Sequence, residues 1–156
     1  MRPVTDFVNR LHAETKLDEA LIVKKKDRYF LLNNRLKGLL SGDFFHAGTY
    51  LGKTKGGTFF PSFSLLALIA EGKANKVTVD DRTEWLFICG RDVFAKGITK
   101  VVGSRRRGEC TLVLNRHGEC LGFGRMLGDL QAKSKEVAVK NISDVGDFLR
   151  RERRHA

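Results

Sequence analysis

The sequence predicts an α+β protein: an N-terminal α/β part with antiparallel strands, then a part of short strands closed by one helix. Three observations carry that prediction. Before residue 75, helix-spaced apolar stripes alternate with short apolar runs bounded by turn residues. After the polar stretch 72–76, short strands separated by turns take over, the pattern of a small barrel-like β fold. Hydrophobic residues make up 42% of the 156 residues, enough for a packed core in one ordinary domain or two small ones. The boundary falls at 73–76, giving an N-terminal domain at 1–75 and a second domain at 76–156.

Thr5 is the expected N-cap of a first helix over 5–14, with Asp6 in its first turn and Phe7, Val8 and Leu11 on one face. Leu21-Ile22-Val23 and Tyr29-Phe30-Leu31-Leu32 flank the polar turn 24–28, a hairpin with a basic tip. Asn33 or Asn34 caps a second helix that runs to Leu40 and ends at Gly42. Strands at 46–51 and 58–60 flank Lys53-Thr54-Lys55-Gly56-Gly57. Pro61 with Ser62 or Ser64 opens a third helix, made apolar by Leu65, Leu66, Leu68 and Ile69 and ended by Gly72. In the second part, Val77 and Val79 alternate with polar neighbours, as in a strand. The run 83–89, with Trp85, Leu86, Phe87 and Ile88, fits a buried helical turn or a strand. Strands at 111–114 and 120–127 meet at the turn Asn115-Arg116-His117-Gly118, and Val137-Ala138-Val139 is a further strand. Ser143 caps the last helix.

Features that invite a chemical reading fail on their context. Gly52-Lys53-Thr54 lacks the P-loop glycine five positions earlier, where Ala47 stands, and a turn and strand follow instead of a helix. Lys53 and Lys55 therefore read as a solvated hairpin tip. Gly122-Phe123-Gly124 lacks the βαβ unit of a dinucleotide site; its glycines mark a bulge, a bend or a close backbone approach. Cys89, Cys110 and Cys120 are odd in number and show no C-x-x-C spacing, which fits reduced, buried thiols of an intracellular protein. A zinc site from Cys110, His117, Cys120 and Cys89 is disfavoured, since zinc ligands come in closely spaced pairs. None of His12, His46, His117 and His155 sits beside a serine or cysteine in a nucleophile motif. No catalytic residue, metal or cofactor is expected. No apolar run approaches the ~18 residues of a spanning helix, and 1–14 lacks a secretory apolar core.

Charge points to a polyanionic partner. Lys and Arg number 29 against 18 acids, for a net charge of +11 and a pI near 9.9, which favours nucleic acid. The end of the chain concentrates the effect. Taken as a helix from 144 on, Val145, Phe148, Leu149 and Glu152 fall on one side, the first three as an apolar stripe. Arg150, Arg151 and Arg154 fall on the other, with Arg153 on the flank. Planar guanidinium forks suit phosphate oxygens. The same arginines also complement a helix C-terminus, as Asp144 and Asp147 complement its start.

Three segments of the second part resemble a PUA domain, the small RNA-binding pseudo-barrel of RNA-modifying enzymes and ribosome-assembly factors. They are Gly90-Arg91-Asp92-Val93-Phe94-Ala95-Lys96-Gly97-Ile98, Leu121-Gly122-Phe123-Gly124, and the closing helix 144–151. The whole chain resembles the Nip-seven type of large-subunit ribosome-biogenesis factors. The shared stretches are Met1-Arg2-Pro3-Val4-Thr5, Ser41-Gly42-Asp43, Gly48-Thr49-Tyr50-Leu51-Gly52-Lys53, Leu86-Phe87-Ile88-Cys89-Gly90 and the run 144–152. The shorter first helix and arginine-rich tail look like an archaeal form. The resemblance implies an N-terminal α/β domain before a C-terminal PUA-type β pseudo-barrel. It also implies an RNA surface where the Gly-Arg-Asp-Val segment meets the final helix. Carried over by position, that surface takes Arg91, Lys96 and Lys100 from the first region and Arg150, Arg151 and Arg154 from the last, with Arg153 as a flanking candidate. These two clusters are expected to converge. Arg105-Arg106-Arg107 either extends the RNA path or is a solvated loop. Phe44, Phe45, Phe59, Phe60 and Phe63 are read mostly as core, some lining a patch for a protein partner.

The expected function is a non-catalytic RNA-binding factor in large ribosomal subunit assembly. It would bind single-stranded segments of ribosomal RNA precursor, with pre-ribosomal proteins docking on the N-terminal domain and no membrane partner. The expected location is the cytoplasm in an archaeon and the nucleolus in a eukaryote. An RNA-modifying enzyme whose PUA half grips substrate is the alternative; it needs a cofactor or nucleophile site in the first 76 residues, where none is visible. A protein adaptor with incidental charge is the third class, and predicts RNA binding lost near physiological salt.

Overall fold

The computed structural model describes residues 2–40, 42–128, 135–147 and 150. The first helix, α1 (Arg2–Arg10), begins three residues before the expected Thr5 cap. Proline is compatible with a first turn, so Pro3 does not prevent this early start. The Thr5 hydroxyl instead donates to Glu19 Oε1 at 2.9 Å. The chain leaves the helix short of the expected residue 14, with His12 in the left-handed region at φ 48°.

A hairpin of β1 (Ile22–Lys25) and β2 (Arg28–Leu31) follows, turning through Lys26 at φ 54°. Asn33 caps α2 (Asn34–Leu39), its Oδ1 accepting from the Leu36 amide at 2.7 Å. A second hairpin pairs β3 (Thr49–Lys55) with β4 (Thr58–Pro61). Ser62 caps α3 (Phe63–Glu71): its Oγ accepts from the Leu65 amide and donates to the Tyr50 carbonyl. Lys76 Nζ donates to the Ala70 and Gly72 carbonyls at the other end of that helix, where a cation opposes the dipole. The four strands form one antiparallel sheet in the order β1-β2-β3-β4.

Six strands build the second sheet: β5 (Lys76–Val79), β6 (Val93–Phe94), β7 (Ile98–Val102), β8 (Cys110–Leu114), β9 (Cys120–Met126) and β10 (Val137–Asp144). Their order is β6-β10-β9-β8-β5-β7, a curled half-barrel with only β5 and β8 parallel. The ambiguous run at 83–89 is helical, within α4 (Asp81–Ile88), because Asp80 caps it by accepting from the Thr83 amide at 2.8 Å. Ser143 is no helix cap. It lies inside β10, and a Cβ on Gly122 would meet its carbonyl oxygen at 2.0 Å. That contact is the close backbone approach expected of a strand glycine. Helix starts at residue 145.

The two sheets share one core. Strand β8 is buried along its whole length, which alternation alone does not explain. Val113 points into the half-barrel with Val77, Met126 and Val139. Leu112 and Leu114 point the other way, with Phe123, onto α1 and α3 through Phe7, Leu65 and Ile69. The Phe7 and Phe123 rings meet edge to face, centroids 5.1 Å apart. Fully burying such a ring contributes about 1.5–3 kcal/mol. Asn75, only 2% exposed, ties the junction. Its amide donates to the Leu11 carbonyl, its carbonyl accepts from the Leu112 amide, its Nδ2 donates to the Cys110 carbonyl, and its Oδ1 accepts from the Ser104 amide.

Candidate nucleic-acid interface

The outer face of the half-barrel carries a row of cations set by strand register. Cys110, Arg125 and Lys140 stand directly opposite one another on β8, β9 and β10. Directly paired residues share a face, with Cβ atoms about 5 Å apart. Arg125 and Lys140 are exposed neighbours there, one step beyond the row in which Leu112 and Phe123 are covered. The row continues both ways. At one end Arg10, from the end of α1, and Arg125 both bear electrostatically on the Cys110 thiol, which burial pushes up and their charges pull down. Exposed Arg105, Arg106 and Arg107 join the same end, because the Gly108 amide donates to the Met126 carbonyl and the Met126 amide to Glu109. At the other end Lys140 Nζ lies 3.3 Å from the Asp92 carboxylate, and the Asn141 amide donates to Asp92 at 2.9 Å. Asn141 Nδ2 also reaches the Arg91 carbonyl, which sets Arg91 next in line.

Arg150 closes the row, its side chain 39% exposed. The sequence put it on a solvent-facing phosphate row. Its guanidinium also donates to the Ile88 carbonyl at the end of α4 and, at 2.9 Å, to Asp144. Asp144 is 2% exposed, so its carboxylate needs that partner. The Asp144 hydrogen bond is the first cause raising the Arg150 pKa, so this cation stays charged at any working pH. A Cβ on Gly90 would touch the guanidinium at 3.1 Å, so Arg150 lies against the Gly90-Arg91 segment. The two expected clusters therefore meet at Arg91 and Arg150.

Lys96 is exposed on the 3-10 turn Ala95–Gly97, which packs on Thr83 of α4, the helix whose other end takes the Arg150 guanidinium at the Ile88 carbonyl. Lys100 is exposed on β7, opposite Thr78. Arg151, Arg153 and Arg154 lie outside the described residues, as do Phe148 and Leu149.

Comparison with known proteins agrees with this architecture. A family model described as the UPF0113 PUA domain matches residues 75–153, just over half of the chain. The chain belongs to the UPF0113 family. A UPF0113 protein of Archaeoglobus fulgidus is 31% identical over 114 residues, covering 69% of this chain; the chain spans 63% of that relative's length. Among solved structures, a conserved PUA domain protein from Thermoplasma acidophilum is similar over 97% of this chain and 92% of its own, with a TM-score of 0.62 at 22% identity. A hypothetical protein of Pyrococcus horikoshii is similar over 95% and 93%, with a TM-score of 0.60 at 17% identity. A PUA domain suggests RNA binding.

Sequence reasoning missed Arg10, Arg125 and Lys140. The one available signal was Arg125 itself, a lone cation in the otherwise apolar or glycine strand Leu121-Gly122-Phe123-Gly124-Arg125-Met126. The cysteines divide. Cys110 is buried and Cys120 partly buried, its thiol pushed up to about 11 by burial, whereas Cys89, expected inside, is exposed.

Proposed function

We propose that this UPF0113 protein is a non-catalytic RNA-binding factor that holds a single-stranded segment of ribosomal RNA precursor during large-subunit assembly. The observation that carries the RNA reading is the register pair Arg125 and Lys140, exposed between Arg10 and the 105–107 loop on one side and Arg91 on the other. A strand laid across β9 and β10 meets these cations in sequence. They contact phosphate, which sets affinity and orientation without reading bases. Single-stranded RNA is favoured over duplex DNA, because the row lies on a twisted sheet face and, among the described residues, no helix projects from it to enter a major groove. The ribosomal assignment is supported by the segments shared with the Nip-seven type, among them Gly48-Thr49-Tyr50-Leu51-Gly52-Lys53 and Leu86-Phe87-Ile88-Cys89-Gly90.

Crosslinking in cells, followed by sequencing of the attached RNA, tests it. Large-subunit ribosomal RNA precursors are expected from the wild-type chain, and are lost with Arg125→Ala plus Lys140→Ala. Enrichment of transfer RNA, or the same ribosomal reads from the double variant, contradicts it.

A further inference from the structure

The outer face of the N-terminal sheet carries a second positive surface, built differently. Register sets Lys25, Arg28, Lys53 and Phe60 in one row across all four strands. Behind this row the same face is apolar: Phe30 is 1% exposed and packs with Leu32 and Ala47 against Val23, Phe44 and Tyr50. The chain between α2 and β3 then brings two rings over the cations. Lys25 Nζ lies 5.2 Å from the Phe44 centroid, and the Arg28 guanidinium carbon 5.4 Å from the Phe45 centroid. Phe44 is anchored edge-on to Phe30, but Phe45 is 83% exposed. These residues, with Lys26, Asp27 and Asp43, line a cleft of about 300 Å³. Asp43 pairs with Lys25. Phe60, 43% exposed, stands beside Lys53 at the far end of the row.

An open phenyl ring backed by a guanidinium is a poor use of apolar area unless something flat covers it. Single-stranded RNA supplies that: a planar base for each ring and a phosphate for each cation. Along the row two cations, Arg28 and Lys53, stand between a ring at each end, Phe45 and Phe60, so each cation has a ring beside it, as each phosphate of such a strand has a base beside it. An acidic protein surface would meet the cations, but carboxylates alone would leave the Phe45 ring uncovered. We propose that this face is a second RNA contact, in which one or two unpaired nucleotides stack on Phe45 with their phosphates on Arg28 and Lys53. This rests on the RNA-binding reading of the chain, and is independent of where on the half-barrel the other contact lies.

The test is fluorescence anisotropy of a labelled oligouridylate with the full chain, checked by ultraviolet crosslinking and peptide mass spectrometry. Phe45→Ala is expected to weaken binding roughly tenfold and leave the salt slope unchanged, since stacking releases no counterions. Phe45→Trp restores binding. Arg28→Gln lowers the slope by about 0.7. Wild-type affinity in Phe45→Ala, alongside a loss in Arg125→Ala plus Lys140→Ala, overturns the second contact and leaves the half-barrel reading standing. Unchanged affinity in every variant overturns both. Polyglutamate that protects the Phe45 peptide as well as RNA does would mean an acidic protein partner, and overturns the proposal.

Discussion

Arg125 and Lys140 stand on a face whose large apolar neighbours, Leu112 and Phe123, are covered by the N-terminal helices; Arg28 and Lys53 stand beside phenylalanines left in the open. The first face offers charge without exposed aromatic rings, and on the proposed reading would grip a backbone in a salt-dependent, sequence-tolerant way. The second sets rings beside charge, and would add stacking that salt does not screen. Both arise from one rule, since directly paired strand residues share a face. The difference lies in what covers the apolar residues of that face. On the half-barrel α1 and α3 do so completely. On the four-stranded sheet the 42–48 segment covers only one end.

The largest expected effect removes the common support. Phe123→Ala opens a cavity where Phe7 and α3 meet the half-barrel, and should cost about 3–5 kcal/mol. Because the core is shared, thermal unfolding should remain a single transition at lower temperature. Two separated transitions would mean that the two faces are carried by independent units.

Next comes the charge row. Arg125→Ala plus Lys140→Ala should weaken oligouridylate binding by roughly 10- to 100-fold at low salt, at about 1 kcal/mol or a little more per charged contact. The slope of log affinity against log salt should become shallower by about 1.4. The melting temperature should barely move, since the exposed Lys140–Asp92 pair is worth little.

Arg150→Ala should do the reverse. It leaves the buried Asp144 carboxylate with Asn141 as its remaining partner among the described residues, and should cost about 1–2 kcal/mol after allowance for solvent. Its effect on the salt slope should be smaller than that of the Arg125 and Lys140 pair. A large slope change with no loss of stability would return Arg150 to the phosphate-binding role read from the sequence.

The smallest effect reports on the covered face. Alkylation near pH 8 should modify Cys89 first, with Cys110 and Cys120 resistant until unfolding. Burial pushes the Cys120 thiol up to about 11 from an ordinary 9.0 by penalising its thiolate, so the fold favours the neutral form. That contribution is whole below about pH 9 and fades as pH rises towards 11, measured by denaturant melts across that range.

Local chemistry made the first half legible. Asn33 and Ser62 cap helices as their types predict, and the hairpin tips at 26–27 and 56–57 fall where polar residues interrupt apolar runs. Thr5 and Ser143 misled because capping residues also serve as partners elsewhere, one to Glu19 and one inside a strand. Strand β6 escaped because it is only two residues long, and β7 because none of its residues is fully buried. The phenylalanines read as core divided by tertiary context, which no local pattern encodes: Phe59 packs on Phe7, while Phe45 lies open. The resemblance led to Arg91 and Arg150, and the Arg150 guanidinium lies against Gly90, next to Arg91 in the chain. It did not lead to Lys140, because only the pairing of β10 with β9 brings residue 140 opposite Arg125.

Amide chemical shifts on titration with oligouridylate locate the bound strand residue by residue. Gly124, Arg125, Lys140 and Asn141 are expected to shift first and furthest, with Lys96 and Lys100 still. Movement at Lys96 and Lys100, with β9 and β10 unperturbed, would contradict that placement.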